Sequence, residues 1–263
     1  MGKVAAMALC RLGNQMFIAA AARTYAARTN REFIGLIKTD VESDYPSEQE
    51  RIMRNVRYIS MDAVRGFYHT PHGPYLCNGF PYTEEENVLL TDFYQDARCI
   101  DRDIAYNLFA PYDSILQEIH HLYGDISDCV CVNVRRGDYL KRDNPEKGFR
   151  VLSVEDINNI LTTYFPDAER VLFVSDDIPW CREHFTDKRF LFADKPCRYK
   201  PEMDLYLQTQ CKANVISNST FSWWGAYLNA HAEKVVCPWP WFTDNKINPM
   251  THILPENWIK WNK

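Results

Sequence analysis

The 263-residue sequence has no uninterrupted apolar stretch approaching the roughly 20 residues needed to span a bilayer. Its amino terminus, Met1-Gly2-Lys3 followed by the apolar run 4–9, is too short for the core of a secretory signal. It runs directly into the polar Arg11-Leu12-Gly13-Asn14-Gln15. Both absences predict a cytoplasmic protein with no transmembrane segment, able to meet a membrane only peripherally through partners. Positive charge is lacking too. A formal net charge of −5 argues against a nucleic-acid partner, which must have its phosphates neutralised. The nine cysteines (10, 77, 99, 129, 131, 181, 197, 211 and 237) include no C-x-x-C pair, and an odd number leaves one over. Several lie inside apolar runs, which predicts reduced, buried thiols rather than a disulfide framework. His69-x-x-His72 and His120-His121 lack neighbours at metal-ligand spacing and predict surface or packing roles, with no metal site. There is no internal repeat and no low-complexity tract.

What is present fits a soluble globular chain, with 46% hydrophobic and 25% charged residues. Aromatic residues reach 14%; most such rings fill cores, and some stack sugars or bases. Short apolar runs alternate with helix-like ones. The run 4–9 predicts a strand, the alanine-rich 16–28 a helix, and 33–37 another strand. From about 40 to 96, prolines and glycines interrupt any period. Asp101-Arg102-Asp103 opens one predicted helical run to about Tyr123, with acids at the positive end of its dipole. After a turn at 124–128, strands are predicted at 129–134, 171–174, 189–192, 214–217 and 234–237, with helices near 154–164 and 221–231 between them. This is the pattern of parallel βα units. The expected fold class is α/β, with two Rossmann-like domains, 1–125 and 126–263, facing one another across a cleft.

Four polar loops follow these strands, and strand-end loops converge on the binding crevice of parallel α/β sheets. Arg11-Leu12-Gly13-Asn14-Gln15 combines a turn glycine with two amides at a helix start; an ordinary helix cap would read the same. Arg135-Arg136-Gly137-Asp138 ends a buried β-branched strand in two guanidiniums, whose forked donors suit phosphate. A lone structural ion pair is the alternative there. Ser175-Asp176-Asp177 ends the next strand in a hydroxyl and two carboxylates, suited to accept from ribose, guanine or an acceptor hydroxyl, to hold a cation, or to cap a helix. Ser217-Asn218-Ser219-Thr220-Phe221-Ser222 packs hydroxyls and an amide into one strand-to-helix turn, more than a cap uses and a common way to hold phosphate.

Together, Arg11-Leu12-Gly13-Asn14-Gln15-Met16-Phe17, Val134-Arg135-Arg136-Gly137-Asp138-Tyr139, Phe173-Val174-Ser175-Asp176-Asp177, and Asp204 followed by the stretch from Ser217 through Trp223-Trp224-Gly225-Ala226-Tyr227-Leu228 make the chain resemble the α-1,2-fucosyltransferases of glycosyltransferase family 11. The resemblance implies a metal-independent, GT-B-type fold that needs no cofactor, with GDP-fucose as donor substrate bound in the carboxyl-terminal domain and a glycan acceptor on the amino-terminal side. It implies an inverting transfer of L-fucose to a galactoside hydroxyl in an α-1,2 linkage, in bacterial surface-glycan synthesis. Arg135 then contacts the diphosphate, with Arg136 and Asp138 shaping its loop. Asp204 reads the guanine N–H edge, and Ser219, Thr220, Phe221 and Ser222 meet phosphate and ribose, with Ser175 and Asn218 beside them. Arg11, Gly13, Asn14 and Gln15 belong to the acceptor side, and Asp138, Asp176 and Asp177 compete as general base. Asn133 stands where the family usually has His, so no proton can be carried there at neutral pH. Two other readings remain open on the residues alone. One is a metal-dependent transferase with another donor, using Asp101-x-Asp103; the other is a GDP-sugar-binding protein without catalysis.

Overall fold

The computed structural model describes residues 1–38, 51–71, 79–140, 150–242 and 252–262. The charged stretch 141–147, which reads in sequence as a lid or a solvated loop, lies outside them, as do Cys77, Tyr75 and His72. The chain divides into two compact units, Met1–Ala110 with Met250–Glu256, and Pro111–Pro249 with Asn257–Lys263.

The amino-terminal unit is built on a wholly parallel sheet of β1 (Lys3–Ala8), β2 (Glu32–Lys38), β3 (Tyr58–Ile59), β4 (Tyr68–His69) and β5 (Val88–Leu90), in the order β3-β2-β1-β5-β4. Helix α1 (Leu12–Arg28) carries the alanine run, whose high helix propensity and small side chains let residues 15–22 be buried without a break. It begins four residues earlier than sequence periodicity predicts. The expected single helix over 101–123 is two, α2 (Arg102–Phe109) and α3 (Asp113–Tyr123). Pro111 cannot donate a helical hydrogen bond and disfavours helix in the residue before it, so the run breaks at Ala110. Asp101 caps α2 by accepting the Ile104 N–H at 3.0 Å, which commits the first carboxylate of Asp101-x-Asp103 to the helix start. The units change at 110/111 rather than at 125/126, because α3 packs within the second unit, where the Tyr112 hydroxyl donates to buried Glu202.

The carboxyl-terminal unit holds β6 (Val130–Val134), β7 (Val171–Ser175), β8 (Phe190–Phe192), β9 (Ala213–Val215), β10 (Lys234–Trp239) and β11 (Ile259–Asn262), also all parallel, in the order β11-β10-β9-β6-β7-β8. Counted along the chain this is 3-2-1-4-5-6, the doubly wound order in which ligands bind where the strand order reverses. Among the described residues five helices connect the strands: α4 (Gly137–Leu140), α5 (Val154–Tyr164), α6 (Ile178–His184), α7 (Lys200–Gln208) and α8 (Thr220–Tyr227). α5 starts where the sequence expects it, on a capping box in which Ser153 and Asp156 satisfy each other's backbone N–H groups. Along β6 the side chains alternate. Val130, Val132 and Val134 enter a core with Ile157, Ile160, Phe173 and Trp261, while Cys131 and Asn133 take the opposite face. Burying each valine contributes about 1.5–3 kcal/mol, so the register that presents Asn133 is strongly fixed. Cys99, Cys129, Cys131, Cys181, Cys211 and Cys237 are buried thiols, and burial pushes Cys129 up to about 12.

Candidate functional site

In the second unit the strand order reverses between β6 and β9, so the loops leaving their carboxyl ends, 135–138 and 216–220, emerge side by side at the point where such sheets bind ligands. Arg135 leaves β6 first. Its guanidinium reaches Asp138 at 2.5 Å and Asp176 at 2.8 Å and lies over the Tyr139 ring, with the side chain 27% exposed. Asp176, at the end of β7, also accepts the Arg136 N–H at 2.9 Å, so one carboxylate ties both arginines to the neighbouring strand. Arg136 turns away from Arg135. Its Nε donates to Asp177 at 3.0 Å and its guanidinium stacks 3.8 Å from the Trp180 ring centroid. Asp177 caps α6 by accepting the Trp180 N–H at 3.2 Å. Ser175 bridges β6 and β7, donating to the Val134 carbonyl at 2.8 Å and accepting the Asp177 N–H at 2.9 Å.

On the β9 side the hydroxyls divide. Ser217 donates to Asn133 Oδ1 at 2.8 Å, joining the two strands across the reversal. Ser222 donates to the Ser217 carbonyl at 2.8 Å, and Asn218 Nδ2 donates to the Trp241 carbonyl at 2.7 Å. All three are at most 2% exposed, so their side chains brace the turn from inside. Ser219 caps α8 through the Phe221 N–H, and Thr220 and Phe221 are half-buried at the helix start. The first N–H groups of a helix lack intrahelical partners and point outward along its positive end. Asp204, on α7, pairs with Lys200, which also donates to the Ala193 carbonyl past the end of β8. Burial pushes the Asp204 carboxyl up to about 6; the Lys200 charge opposes this, and the negative charge of Asp176 adds to the rise.

The first unit has a reversal of its own, between β1 and β5. Cys10 follows β1 in the left-handed region (φ 57°), and Tyr94 follows β5 in the same region (φ 50°). Such backbone strain in a non-glycine residue costs about 1–3 kcal/mol and gathers at ligand sites. Arg11 is exposed, Gly13 is buried in the first turn of α1, and Gln15 donates to the Cys10 carbonyl at 2.7 Å. Asn14 Oδ1 accepts from Gln95 Nε2 at 3.1 Å.

A family model described as "Glycosyl transferase family 11" matches residues 107–262, which take in every strand of the second sheet. The chain belongs to glycosyl transferase family 11. Among its relatives, the O-antigen biosynthesis glycosyltransferase WbnK of Escherichia coli is 32% identical over 184 residues, 65% of this chain and 59% of that protein. Galactoside alpha-(1,2)-fucosyltransferase 2 of Oryctolagus cuniculus is 36% identical over 107 residues, 39% of this chain and 30% of that protein. The family 11 chain thus spans less than two thirds of the length of these relatives. A solved alpha-1,6-fucosyltransferase, NodZ, co-crystallised with GDP, shares the α/β fold at a TM-score of 0.54 and 15% identity, covering 89% of this chain and 93% of that one.

Within this family 11 fold the structure gathers Asn133, Arg135, Arg136, Asp138, Ser175, Asp176, Asp177 and the 217–222 turn at one end of the second sheet, and the charge of Asp176 reaches Asp204. It places Arg11, Gly13, Asn14 and Gln15 on the first unit's reversal. Trp180 and Gln95 go unread in sequence, since each earns its place by a contact from a distant loop. Gly137, read in sequence only as the turn glycine of the Arg135 loop, has a steric role as well. A Cβ there would lie 2.6 Å from Asp176 Oδ2, so Gly137→Ala pushes that carboxylate off Arg135. With Arg135 read as a diphosphate contact, a fall of about tenfold in GDP affinity is expected at an unchanged thermal midpoint, as measured by calorimetric titration.

Proposed function

We propose that this family 11 chain transfers L-fucose from GDP-β-L-fucose to a galactoside hydroxyl with inversion, forming an α-1,2 linkage in bacterial surface-glycan synthesis in the cytoplasm. In this reading the donor binds the carboxyl-terminal unit and the acceptor the amino-terminal one, the division of labour of a GT-B-type transferase. The observation that carries it is Arg135, held by Asp138 and Asp176 at the strand-order reversal beside the amino terminus of α8. A fixed guanidinium and outward N–H groups at one point suit a diphosphate. The relatives' names, one for O-antigen biosynthesis and one for galactoside fucosylation, support the substrate classes.

The acceptor hydroxyl attacks the anomeric carbon opposite the departing GDP, forming the new C–O bond as the bond to the diphosphate oxygen breaks, and its proton passes to solvent water. Negative charge grows on the diphosphate as the sugar becomes oxocarbenium-like, and Arg135 with the α8 N–H groups stabilises it, the part a metal ion plays in other transferases. Asp138, Asp176 and Asp177 each hold an arginine, so in this reading they position the cations rather than take the acceptor proton. The binding-only reading predicts uptake of GDP-fucose without release of GDP. The deciding experiment is incubation with GDP-fucose and a glycan panel. An α-1,2-fucosylated product assigned by NMR is expected; none from any β-galactoside overturns the proposal.

Asp204 supplies a pH test. As a carboxylate it accepts the N–H edge of guanine, and protonation removes one acceptor. With a pKa of about 6, GDP affinity is expected to fall about tenfold per unit as pH drops below that value. Asp204→Asn should bind more weakly and lack this break. The fold moves the other way. Because the folded-state value lies above the unfolded one of about 3.9, protonation of Asp204 favours the folded state between those values, so its stability contribution rises as pH falls through that window. Affinity titrations and thermal melts at pH 5 and 7.5 separate the two effects.

A further inference from the structure

The loop after β5 carries a residue whose chemistry the sheet alone does not use. Gln95 is 8% exposed, and its Nε2 is spent on Asn14. Its Oε1 accepts no hydrogen bond among the described residues. An amide carbonyl that no protein group uses, on a residue otherwise largely buried, can accept from a hydroxyl brought by a ligand. The loop is anchored so that Gln95 cannot simply swing away. On one side of it the Tyr94 hydroxyl meets Thr70 Oγ1 at 3.0 Å in the core, under a strained backbone. On the other, fully buried Asp96 grips the Arg98 guanidinium with both oxygens, and the Ala97 N–H donates to the His252 carbonyl. Two rigid ends and one half-used amide sit where the strand order reverses, the place parallel α/β sheets keep ligands.

We infer that Asn14 and Gln95 form the hydroxyl-reading element of the acceptor site, with Gln95 Oε1 accepting from one hydroxyl of a neutral sugar while its Nε2 fixes the orientation of Asn14. This inference rests on the transferase reading of the protein. Two neutral amides match hydroxyl groups, which both donate and accept, and offer little to a phosphate. A site that accepts from a sugar hydroxyl discriminates against a sugar lacking it, because that hydrogen bond is then lost.

The test uses the full chain, GDP-fucose and lactose with its monodeoxy derivatives. Gln95→Ala should raise KM for lactose about tenfold, leaving the KM for GDP-fucose and the thermal midpoint unchanged. Gln95→Glu, which keeps an acceptor oxygen, should recover part of that loss. One monodeoxy lactose should give the same KM with wild type and Gln95→Ala, the signature of a direct contact. The inference is overturned if Gln95→Ala leaves the lactose KM unchanged, raises both KM values together, or acts alike on every deoxy sugar. If wild type transfers to no acceptor, the transferase reading fails by itself. Saturation-transfer NMR of lactose then judges Gln95, since signals equal in wild type and Gln95→Ala count against it and loss in the variant supports it.

Discussion

Arg135→Ala is expected to lower kcat/KM for fucosyl transfer by a factor on the order of 10²–10³, the usual loss when one preorganised group facing developing negative charge is removed. The geometry makes the loss hard to repair. Arg135 bridges Asp138 at 2.5 Å and Asp176 at 2.8 Å, so truncation removes the cation and leaves two carboxylates facing the place proposed for a diphosphate. Like charge then opposes binding where opposite charge assisted it. Arg135→Lys should recover little, since a single ammonium cannot span two carboxylates and present a fork to phosphate. Both aspartates keep partial access to water, so the thermal midpoint should change far less than activity. Released GDP, calorimetric GDP affinity and a melting curve for each variant make the comparison; full activity in Arg135→Ala would sink the donor-site assignment.

Trp223→Ala is expected to have the largest effect on folding. Trp223 is fully buried on α8, stacked on Tyr227 at 4.4 Å, edge-on to Trp224 at 4.9 Å and tilted against Trp258 at 5.5 Å. Removing a buried indole costs about 3–5 kcal/mol, against a total stability of about 5–15 kcal/mol for a typical domain. The same helix begins at the Ser219 cap, so weakening its body loosens the turn that carries the candidate nucleotide contacts. Denaturant titration should show a lower midpoint, and GDP should restore part of the difference by binding only the folded form. A midpoint within about 0.5 kcal/mol of wild type would mean the aromatic cluster repacks around the cavity.

Much of the second unit can be read from residues alone, for identifiable reasons. β6 is a β-branched run ending in charge, and α5 opens on a Ser153 and Asp156 capping box; both signals are local and both elements form there. β3 and β4, two residues each, are too short to establish a period among the prolines and glycines of the middle region. The acids at 101–103 mark a helix start correctly, yet the pattern beyond hides the stop at Pro111. At the candidate site, residue type identifies the Arg135 and Ser217 loops, but type does not give direction. Ser217, Asn218 and Ser222 turn inward because the β9 turn needs bracing, whereas Thr220 and Phe221 remain half-buried. Gln95 has no local signal at all.

Both reversal points are closed by hydrogen bonds between residues far apart along the chain: 84 positions from Asn133 to Ser217, and 81 from Asn14 to Gln95. Contacts of such long range are formed late in folding, since the entropy of closing the intervening loop must be overcome first. During synthesis the Arg135 loop therefore emerges well before its partner turn. A ribosome-bound chain stopped short of β9 would carry the arginines without the crevice they belong to. With the nucleotide held between these two loops, as proposed, its capture should begin only after the 217–222 turn has left the ribosome, so that binding would report completion of the sheet.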